Sequence, residues 1–427
     1  MTKTTSTTDS RTTIAIVGSG PSGCFTAQAL RKTLPHAEIT VFDRLPVPYG
    51  LVRYGVAPDH QGTKAVANQF DRLFASNDVY FAGNVNVGED VSVDDLRAAF
   101  DIVVLAVGAH SDRPLGIPGA GLANVYGSGS FTRFINDHPD EQHLDLNLGR
   151  RVAIVGNGNV AIDILRILIK PEDSFSGSDL RADTYSRLRT DDITHIHVVG
   201  RSPAHAAKFD PAMVKELSKI DGVRFAVWPE IDGDSADSRL NSLAMLSAGS
   251  PPPAGKVVEF HFGTVPERIE GDLRVQRLIA RPTGGVETTL SLDVDSVITA
   301  IGFVSSPDDR FSREALHDGA SDLPSGHLAS GLYCTGWFHR GAQGTIAANR
   351  ASARNLAGVI TDALRQNRIQ MGKPGRVAVL DALPVGHVDY SGWRRIDAAE
   401  IANTSPNRTR AKIRDRSEML LRASQVA

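Results

Sequence analysis

The chain contains two glycine-rich turns of the same kind. They read GSGPSG at 18–23 and GNGNVA at 156–161. Each follows a short run rich in β-branched residues, 13–17 and 151–155, which is typical of a buried parallel strand. The first glycine of such a turn permits the tight bend, the second lets backbone approach a pyrophosphate, and a small third residue lets the next helix pack on the strand. The sequence therefore predicts two strand–turn–helix units that each bind a dinucleotide.

The residues after each unit distinguish the two nucleotides. Asp43 ends the apolar run 39–42, where a carboxylate accepts hydrogen bonds from a ribose diol. The run 195–199 ends instead in Gly200, Arg201 and Ser202. A guanidinium pairs with a 2′-phosphate through two hydrogen bonds, and a hydroxyl adds a third. The first site is therefore predicted to bind FAD and the second NADP(H), unless the turns serve packing alone.

The order of the predicted elements indicates an interrupted domain. Strands at 101–106 and 297–300 lead into Gly108 and Gly302, which matches the close passage of backbone beside a nucleotide. The segment 331–354 reads as a strand, a glycine turn and a helix that return to the first domain. We therefore expect an α/β fold with two Rossmann-like dinucleotide-binding domains, the NADP domain inserted into the FAD domain. The predicted FAD-binding domain is 1–108 with 330–427, and the predicted NADP-binding domain is 109–329.

Composition and cysteine content narrow the class of enzyme. A net charge of −3 in 427 residues gives no indication of nucleic-acid binding. With only Cys24 and Cys334, the chain lacks both the dithiol of a disulfide reductase and the ligands for an iron–sulfur cluster of its own. The thirteen histidines have no metal-binding spacing, so no metal is expected, and His195 and His197 are interpreted as ordinary strand residues. Residues 1–12 have no apolar core typical of a secretory signal, and no segment has membrane-spanning length, so a cytoplasmic enzyme without membrane insertion is expected.

Two further segments contain residues that packing does not require. Residues 45–60 form a long stretch broken by glycine and proline that carries Arg53 and His60. A loop of that length is usually functional or disordered. Residues 336–346 place Trp337 before a glycine turn and a helix start, where a helix N-terminus would stabilise negative charge on a reduced flavin. The alternative for Trp337 is an ordinary core aromatic residue.

These segments together resemble a known family. GLVRYGVAPDH at 50–60, GNGNVAIDILRIL at 156–168, VVGR at 198–201 and the GW, RG and GTI sequences of 336–346 resemble the adrenodoxin reductase type of ferredoxin–NADP reductase, including its bacterial members. The resemblance covers nearly the full chain. It implies that NADPH passes hydride to FAD, and that the flavin gives single electrons to a ferredoxin, an iron–sulfur protein that feeds an oxygenase or a cytochrome P450.

The turns and the resemblance together predict the site residues. The expected FAD contacts are Gly18, Gly20, Pro21, Ser22, Gly23, Asp43, Arg44, Gly50, Leu51, Gly108, Gly336, Trp337, Gly344, Thr345 and Ile346. The expected NADP contacts are Asn157, Gly158, Asn159, Val160, Arg201 and Ser202. The resemblance also implies that His60 and Glu216 are catalytic residues near the nicotinamide, with a role in proton or hydride handling.

The chain departs from the family pattern mainly in the NADP segment. Ser202 stands where the family usually has a second arginine, Pro203 and Ala204 where it has glycine and proline, and Met213 where it has glutamate. NAD is therefore a possible coenzyme, and an NADH-preferring ferredoxin reductase is an alternative. Ala342 and Gln343 replace a proline and a threonine in the flavin segment.

Two other functions and one candidate docking segment remain open from the sequence. A flavin oxidoreductase acting on a quinone or another small molecule, or a monooxygenase, is one alternative, although the chain lacks the F-x-G-x-x-x-H sequence that a monooxygenase would have. A nucleotide sensor is the other. The basic stretch 406–416 is a candidate docking surface for an acidic ferredoxin, or else a solvated tail.

Overall fold

The computed structural model describes residues 11–76, 78–231, 235–248, 255–284, 289–305 and 313–425, so most of the N-terminal stretch 1–12 lies outside it. Its strands are β1 (Thr13–Val17), β2 (Glu38–Phe42), β3 (Val79–Ala82), β4 (Ile102–Leu105), β5 (Ser111–Asp112), β6 (Val125–Gly127), β7 (Arg151–Val155), β8 (His195–Gly200), β9 (Val223–Trp228), β10 (Lys256–Phe262), β11 (Thr264–Glu270), β12 (Arg277–Pro282), β13 (Leu290–Asp293), β14 (Ser296–Thr299), β15 (Phe303–Val304), β16 (His327–Ala329) and β17 (Leu332–Cys334). Its helices are α1 (Pro21–Thr33), α2 (Leu51–Tyr54), α3 (Gln61–Lys64), α4 (Ala67–Ala75), α5 (Val93–Ala99), α6 (Ser128–Ile135), α7 (Asn159–Ile169), α8 (Ala182–Leu188), α9 (Pro211–Leu217), α10 (Ser238–Ser247), α11 (Arg313–Asp318), α12 (Gly336–Arg340), α13 (Ile346–Arg365), α14 (Tyr390–Ala402) and α15 (Arg416–Ser424).

Two six-stranded sheets organise these elements. The first has the order β16-β17-β4-β1-β2-β3 and takes strands from both ends of the chain. The second has the order β6-β14-β7-β8-β10-β9, and all of its strands are parallel. The central strands β1, β4 and β7 are almost wholly buried, as their β-branched composition predicts. The predicted α/β fold, with one dinucleotide-binding unit inserted into another, is confirmed.

The two glycine turns have the same backbone geometry. Gly18 and Gly156 both have positive φ, 105° and 132°. A Cβ on Gly18 would lie 2.6 Å from the carbonyl oxygen of Ala106, and one on Gly156 would lie 2.2 Å from that of Ala300. Each turn therefore passes directly against the end of the neighbouring parallel strand, where a side chain has no room.

The basic stretch near the C-terminus is not a solvated tail. Lys412 is fully buried and pairs with Asp179 at 2.8 Å. Its neighbours also form internal ion pairs, Arg410 with Asp397 and Glu400, and Arg414 with Asp137 and Asp183. These ion pairs argue against a ferredoxin-docking surface here, because carboxylates from α14 and from 137–183 already neutralise Arg410, Lys412 and Arg414.

Every helix in the described parts of the chain is too short or too polar to span a bilayer.

Cys24 and Cys334 are free and buried. Burial raises the pKa of both thiols, that of Cys334 to about 12, which is the opposite of what a reactive thiol requires.

Candidate active site

Four predicted FAD contacts lie together at the start of α1. A Cβ on Gly50 would come within 3.0 Å of the Gly20 Cα, and a Cβ on Gly336 would come within 2.0 Å of the Ser22 hydroxyl. Three separate segments of the sequence thus meet with their backbones in close contact. Only glycine allows this approach, since Gly50 and Gly336 both have positive φ.

The helix that starts at this point has an open N-terminus. Gly20 is its N-cap residue and offers no side-chain cap, and no acidic residue stands in the first turn. The N-cap of α13, Thr345, likewise makes no side-chain cap bond. Uncapped N–H groups at the positive end of a helix bind anions well. Gly344 and Thr345 are both exposed there, whereas Ile346, which begins the helix, is half-buried.

The carboxylate of Asp43 is held rigidly at the end of β2. One of its oxygens accepts hydrogen bonds from the backbone N–H and the hydroxyl of Ser19, and the other from the N–H of Leu45 at 3.0 Å. Arg44 turns away to pair with Asp140 at 2.8 Å. Asp43 is therefore fixed beside the first turn. Arg44 instead connects the end of β2 to the segment between α6 and β7.

Trp337 is not an ordinary core residue. Its ring stacks on Phe303 with centroids 5.7 Å apart. Its indole nitrogen is buried and has no hydrogen-bond partner among the described atoms. Buried donors are almost always bonded, so an orphaned one in this position is consistent with a bound molecule. Two other predicted contacts nearby are open, since Leu51 is 38% exposed and a Cβ on Gly108 would meet nothing closer than 3.9 Å.

The second turn is also an open helix start. Gly158, the N-cap of α7, has no side-chain cap, and a Cβ there would meet nothing within 4 Å. The amide of Asn157 donates to the Ser202 carbonyl at 3.4 Å, and the Asn159 side-chain oxygen accepts from the N–H of Asp210 at 2.7 Å. These two bonds hold the loop after β8 against the turn.

The side chain predicted to read the 2′-phosphate is available. Arg201 is exposed and has no ion pair with any carboxylate of the described residues. Ser202 follows it and is half-buried, and Val160 is half-buried at the start of α7. The arrangement places one free guanidinium at the end of β8, next to the second turn.

His60 brings the two nucleotide units together. Its Nε2 lies 3.9 Å from the carboxylate of Glu216 on α9, the other residue that the resemblance implies to be near the nicotinamide. Its Nδ1 lies 3.7 Å from the carboxylate of Asp163 on α7. Sequence reasoning missed Asp163, although an acidic residue one turn beyond Asn159 in a nucleotide-binding helix was an available signal. One imidazole is thus flanked by two carboxylates, one on each side.

A buried ion-pair cluster supports this histidine. Arg166 pairs with Asp163 at 2.6 Å and with Asp59 at 2.8 Å, and Lys170 also pairs with Asp59. Burial acts to raise the pKa of Asp59, but Arg166 and Lys170 outweigh it and hold that pKa well below its usual range. Burial raises the pKa of Asp163, and Arg166 and His60 offset only part of this effect.

Comparison with known proteins agrees with this geometry. The family model described as pyridine nucleotide-disulphide oxidoreductase matches residues 12–241. Cindoxin reductase of Citrobacter braakii is 47% identical over 417 residues, covering 95% of this chain and 90% of that protein. The mitochondrial NADPH:adrenodoxin oxidoreductase of Arabidopsis thaliana is 32% identical, covering 91% and 90%. The structure of Mycobacterium tuberculosis FprA in complex with NADPH superimposes with a TM-score of 0.88 at 28% identity, covering 97% of this chain and all of that one.

Proposed function

Since the chain belongs to the pyridine nucleotide-disulphide oxidoreductase family, and within it to the ferredoxin reductases of the adrenodoxin reductase type, we propose that it is an FAD-dependent reductase that takes hydride from NADPH and passes single electrons to a ferredoxin-type iron–sulfur protein. The observation that carries the proposal is the position of His60. It ends the segment 45–60 of the first nucleotide unit and lies between the carboxylates of Asp163 and Glu216 in the second unit.

The two sheets support the proposed domain assignment. Residues 1–108 and 330–427 would form the FAD-binding domain and residues 109–329 the NADP-binding domain, because the first sheet uses strands from both ends of the chain. A cytoplasmic location is part of the same proposal. The two buried, unpaired cysteines argue against a disulfide substrate.

The residues of the first site fit FAD. The N-terminus of α1 would bind the pyrophosphate, Asp43 the ribose, and the segment from Gly336 to Ile346 the flavin, with the orphaned Trp337 indole N–H beside it. FAD when bound supplies an acceptor for two electrons that releases them one at a time. The protein supplies binding, orientation and a charged environment.

The residues of the second site fit NADP(H). The N–H groups at the start of α7 would bind its pyrophosphate, because Gly158 leaves them open and uncapped. Arg201 would pair with the 2′-phosphate. Asn157 and Asn159 act indirectly, since their side chains hold the loop that carries Arg201.

His60, Glu216 and Asp163 would manage charge and protons between the two sites. The carboxylates near both ring nitrogens would orient the imidazole, at 3.7 Å from Nδ1 and 3.9 Å from Nε2. Glu216 is 51% exposed at its side chain, so it connects the ring to solvent, while Asp163 is held by Arg166. At 3.9 Å, a proton at His60 Nε2 would reach Glu216 through one bridging water and leave the site from there.

The test is a pair of assays on the purified FAD-loaded protein. NADPH-driven cytochrome c reduction should depend on added ferredoxin, whereas ferricyanide reduction should proceed without it. A colourless protein that cannot be reconstituted with FAD would contradict the flavin site. Rapid reduction of a quinone with no response to any ferredoxin would favour the small-molecule alternative.

A further inference from the structure

The second sheet carries a cluster of three side chains that the proposed reaction does not use. His197 lies on β8, and Glu259 and His261 lie on β10. His197 and Glu259 are paired in the parallel register, and His261 is two residues further along the same face. Within the described part of the chain, these three side chains are close enough to share one metal ion, since their ligand atoms all lie within 4.8 Å of one another.

Hydrogen bonding alone satisfies this cluster poorly. His197 Nδ1 lies 3.2 Å from both the Glu259 carboxylate and the Nε2 of His261. A ring nitrogen carries either a proton or a lone pair. If Nδ1 of His197 carries a proton, that single hydrogen faces two acceptors, the Glu259 carboxylate and His261 Nε2. If Nδ1 carries no proton, its lone pair faces a carboxylate that has no proton to donate. Each neutral tautomer therefore leaves one contact unfavourable.

The geometry points to a binding site for Zn²⁺, with His197, Glu259 and His261 as three ligands. Zinc–nitrogen and zinc–oxygen bonds of about 2.0–2.1 Å in a tetrahedron place neighbouring ligand atoms about 3.3 Å apart. Both measured separations from His197 Nδ1 are 3.2 Å. Two imidazoles and one carboxylate are a donor set that zinc accepts, with water in the fourth position.

The surroundings of the cluster agree with this assignment. Both histidines are buried, at 8% and 7% exposure, whereas the Glu259 side chain is 28% exposed, so an ion and a water have access from one side.

Sequence spacing does not reveal this site, because its ligands come from two strands. His197 and His261 are 64 positions apart in the sequence, and the pairing of β8 with β10 brings them together. The cluster also lies outside the two glycine-rich turns at 18–23 and 156–161, although β8 leads directly to Arg201. The zinc site therefore stands independently of the proposed electron transfer.

Equilibrium competition with a chromophoric zinc chelator tests the site on the FAD-loaded protein after treatment with a stronger chelator. We expect one equivalent of Zn²⁺ to bind, and His197→Ala and His261→Ala each to weaken that binding at least a hundredfold. His195→Ala is the matched control, since His195 lies on the same strand, is exposed and contacts Thr194 instead. It should bind zinc as the wild type does.

Flavin absorbance and circular dichroism establish that each variant is folded. Glu259→Gln is the second variant, because it keeps the side-chain size and removes the anionic ligand; zinc binding should fall at least tenfold. The site is refuted if the wild type retains no zinc at one equivalent, or if folded His197→Ala and His261→Ala variants both bind zinc with wild-type affinity. Anomalous scattering at the zinc edge would place the ion directly.

Discussion

The carboxylate of Asp59 receives two hydrogen bonds from the guanidinium of Arg166, at 2.8 and 2.9 Å. The Arg166 side chain is 2% exposed and that of Asp59 8%. Asp59 directly precedes His60, and Arg166 lies on α7, the helix of the second glycine turn. This buried pair therefore links the two nucleotide units immediately beside the proposed catalytic histidine.

Replacing Asp59 with asparagine should destabilise the fold strongly. The change leaves Lys170 without this carboxylate and Arg166 with Asp163 alone. Breaking a buried pair by removing one partner typically costs about 3–5 kcal/mol of unfolding free energy. Urea unfolding measures the effect. Glu270→Gln, which breaks exposed pairs with Arg268 and Arg277, should cost less than about 1 kcal/mol. Equal losses in the two variants would contradict the structural role of the pair.

Gly20→Ala and Gly158→Ala should separate cofactor binding from folding. A Cβ on Gly20 would meet only the Gly50 Cα at 4.0 Å, and one on Gly158 would meet nothing, so both variants should fold. Gly20→Ala should lose FAD, whereas Gly158→Ala should keep FAD and raise KM for NADPH, because the methyl occupies the pyrophosphate's approach. Gly23→Ala is the contrast, since its Cβ would lie 1.8 Å from the Gly18 carbonyl oxygen and should disrupt the turn itself. Flavin absorbance after desalting and steady-state kinetics give the answer; full FAD occupancy in Gly20→Ala would remove this turn from the flavin site.

His60→Gln should slow flavin reduction by NADPH about tenfold to a hundredfold without changing the bound spectrum. Positioning of the two cofactors supplies most of the catalysis, so a proton-handling group alters the rate without abolishing the reaction. Glu216→Gln and Asp163→Asn test the two flanking carboxylates. Stopped-flow absorbance is the measurement. If reduction in His60→Gln is as fast as in the wild type, the ring has only a structural role.

Arg201→Ala should remove most of the preference for NADPH over NADH. One charge-assisted bond to a phosphate is worth about 1.5–3 kcal/mol, which corresponds to roughly tenfold to a few hundredfold in kcat/KM. The loss should lie mainly in KM for NADPH, and Ser202→Arg should widen the preference. Steady-state kinetics with both coenzymes decides the point. An unchanged preference in Arg201→Ala would show that another residue binds the 2′-phosphate.

Stability should rise with pH above neutrality through Lys64. Its ammonium group shares the Asp179 carboxylate with Lys412. Burial and the charge of Lys412 lower the pKa of Lys64 to about 7, while Asp179 acts in the opposite direction. An unfolded lysine has a pKa of about 10.4, so between pH 7 and that value the unfolded chain binds more protons than the folded one, and the unfolding free energy increases with pH.

The control for this pH dependence is Lys64→Met. From pH 7 to pH 9 the wild type should gain about 2 kcal/mol of unfolding free energy relative to the variant, measured by urea unfolding at both values. Parallel pH profiles for the two proteins would show that Lys64 stays charged in the folded state.

The sequence by itself determined the two strand–turn–helix units. Their glycines at 18–23 and 156–161 are required by local backbone geometry, namely positive φ and contact between a turn and its own helix or neighbouring strand. Such constraints act over a few residues and are visible as spacing. The same reasoning placed the start of the 20-residue helix α13 close to its observed position at Ile346, since the predicted turn at Gly344 precedes it.

Only the tertiary structure decided which charged groups meet. The contacts of His60 with Asp163, of His197 with Glu259, and of Lys412 with Asp179 each join residues that are far apart in the chain. In the basic stretch 406–416, Arg410, Lys412 and Arg414 pair with carboxylates that the fold brings to them. Partners of this kind depend on how sheets and helices pack, because a buried charge is stable only beside an opposite charge that the fold brings to it, and local spacing contains no record of that pairing.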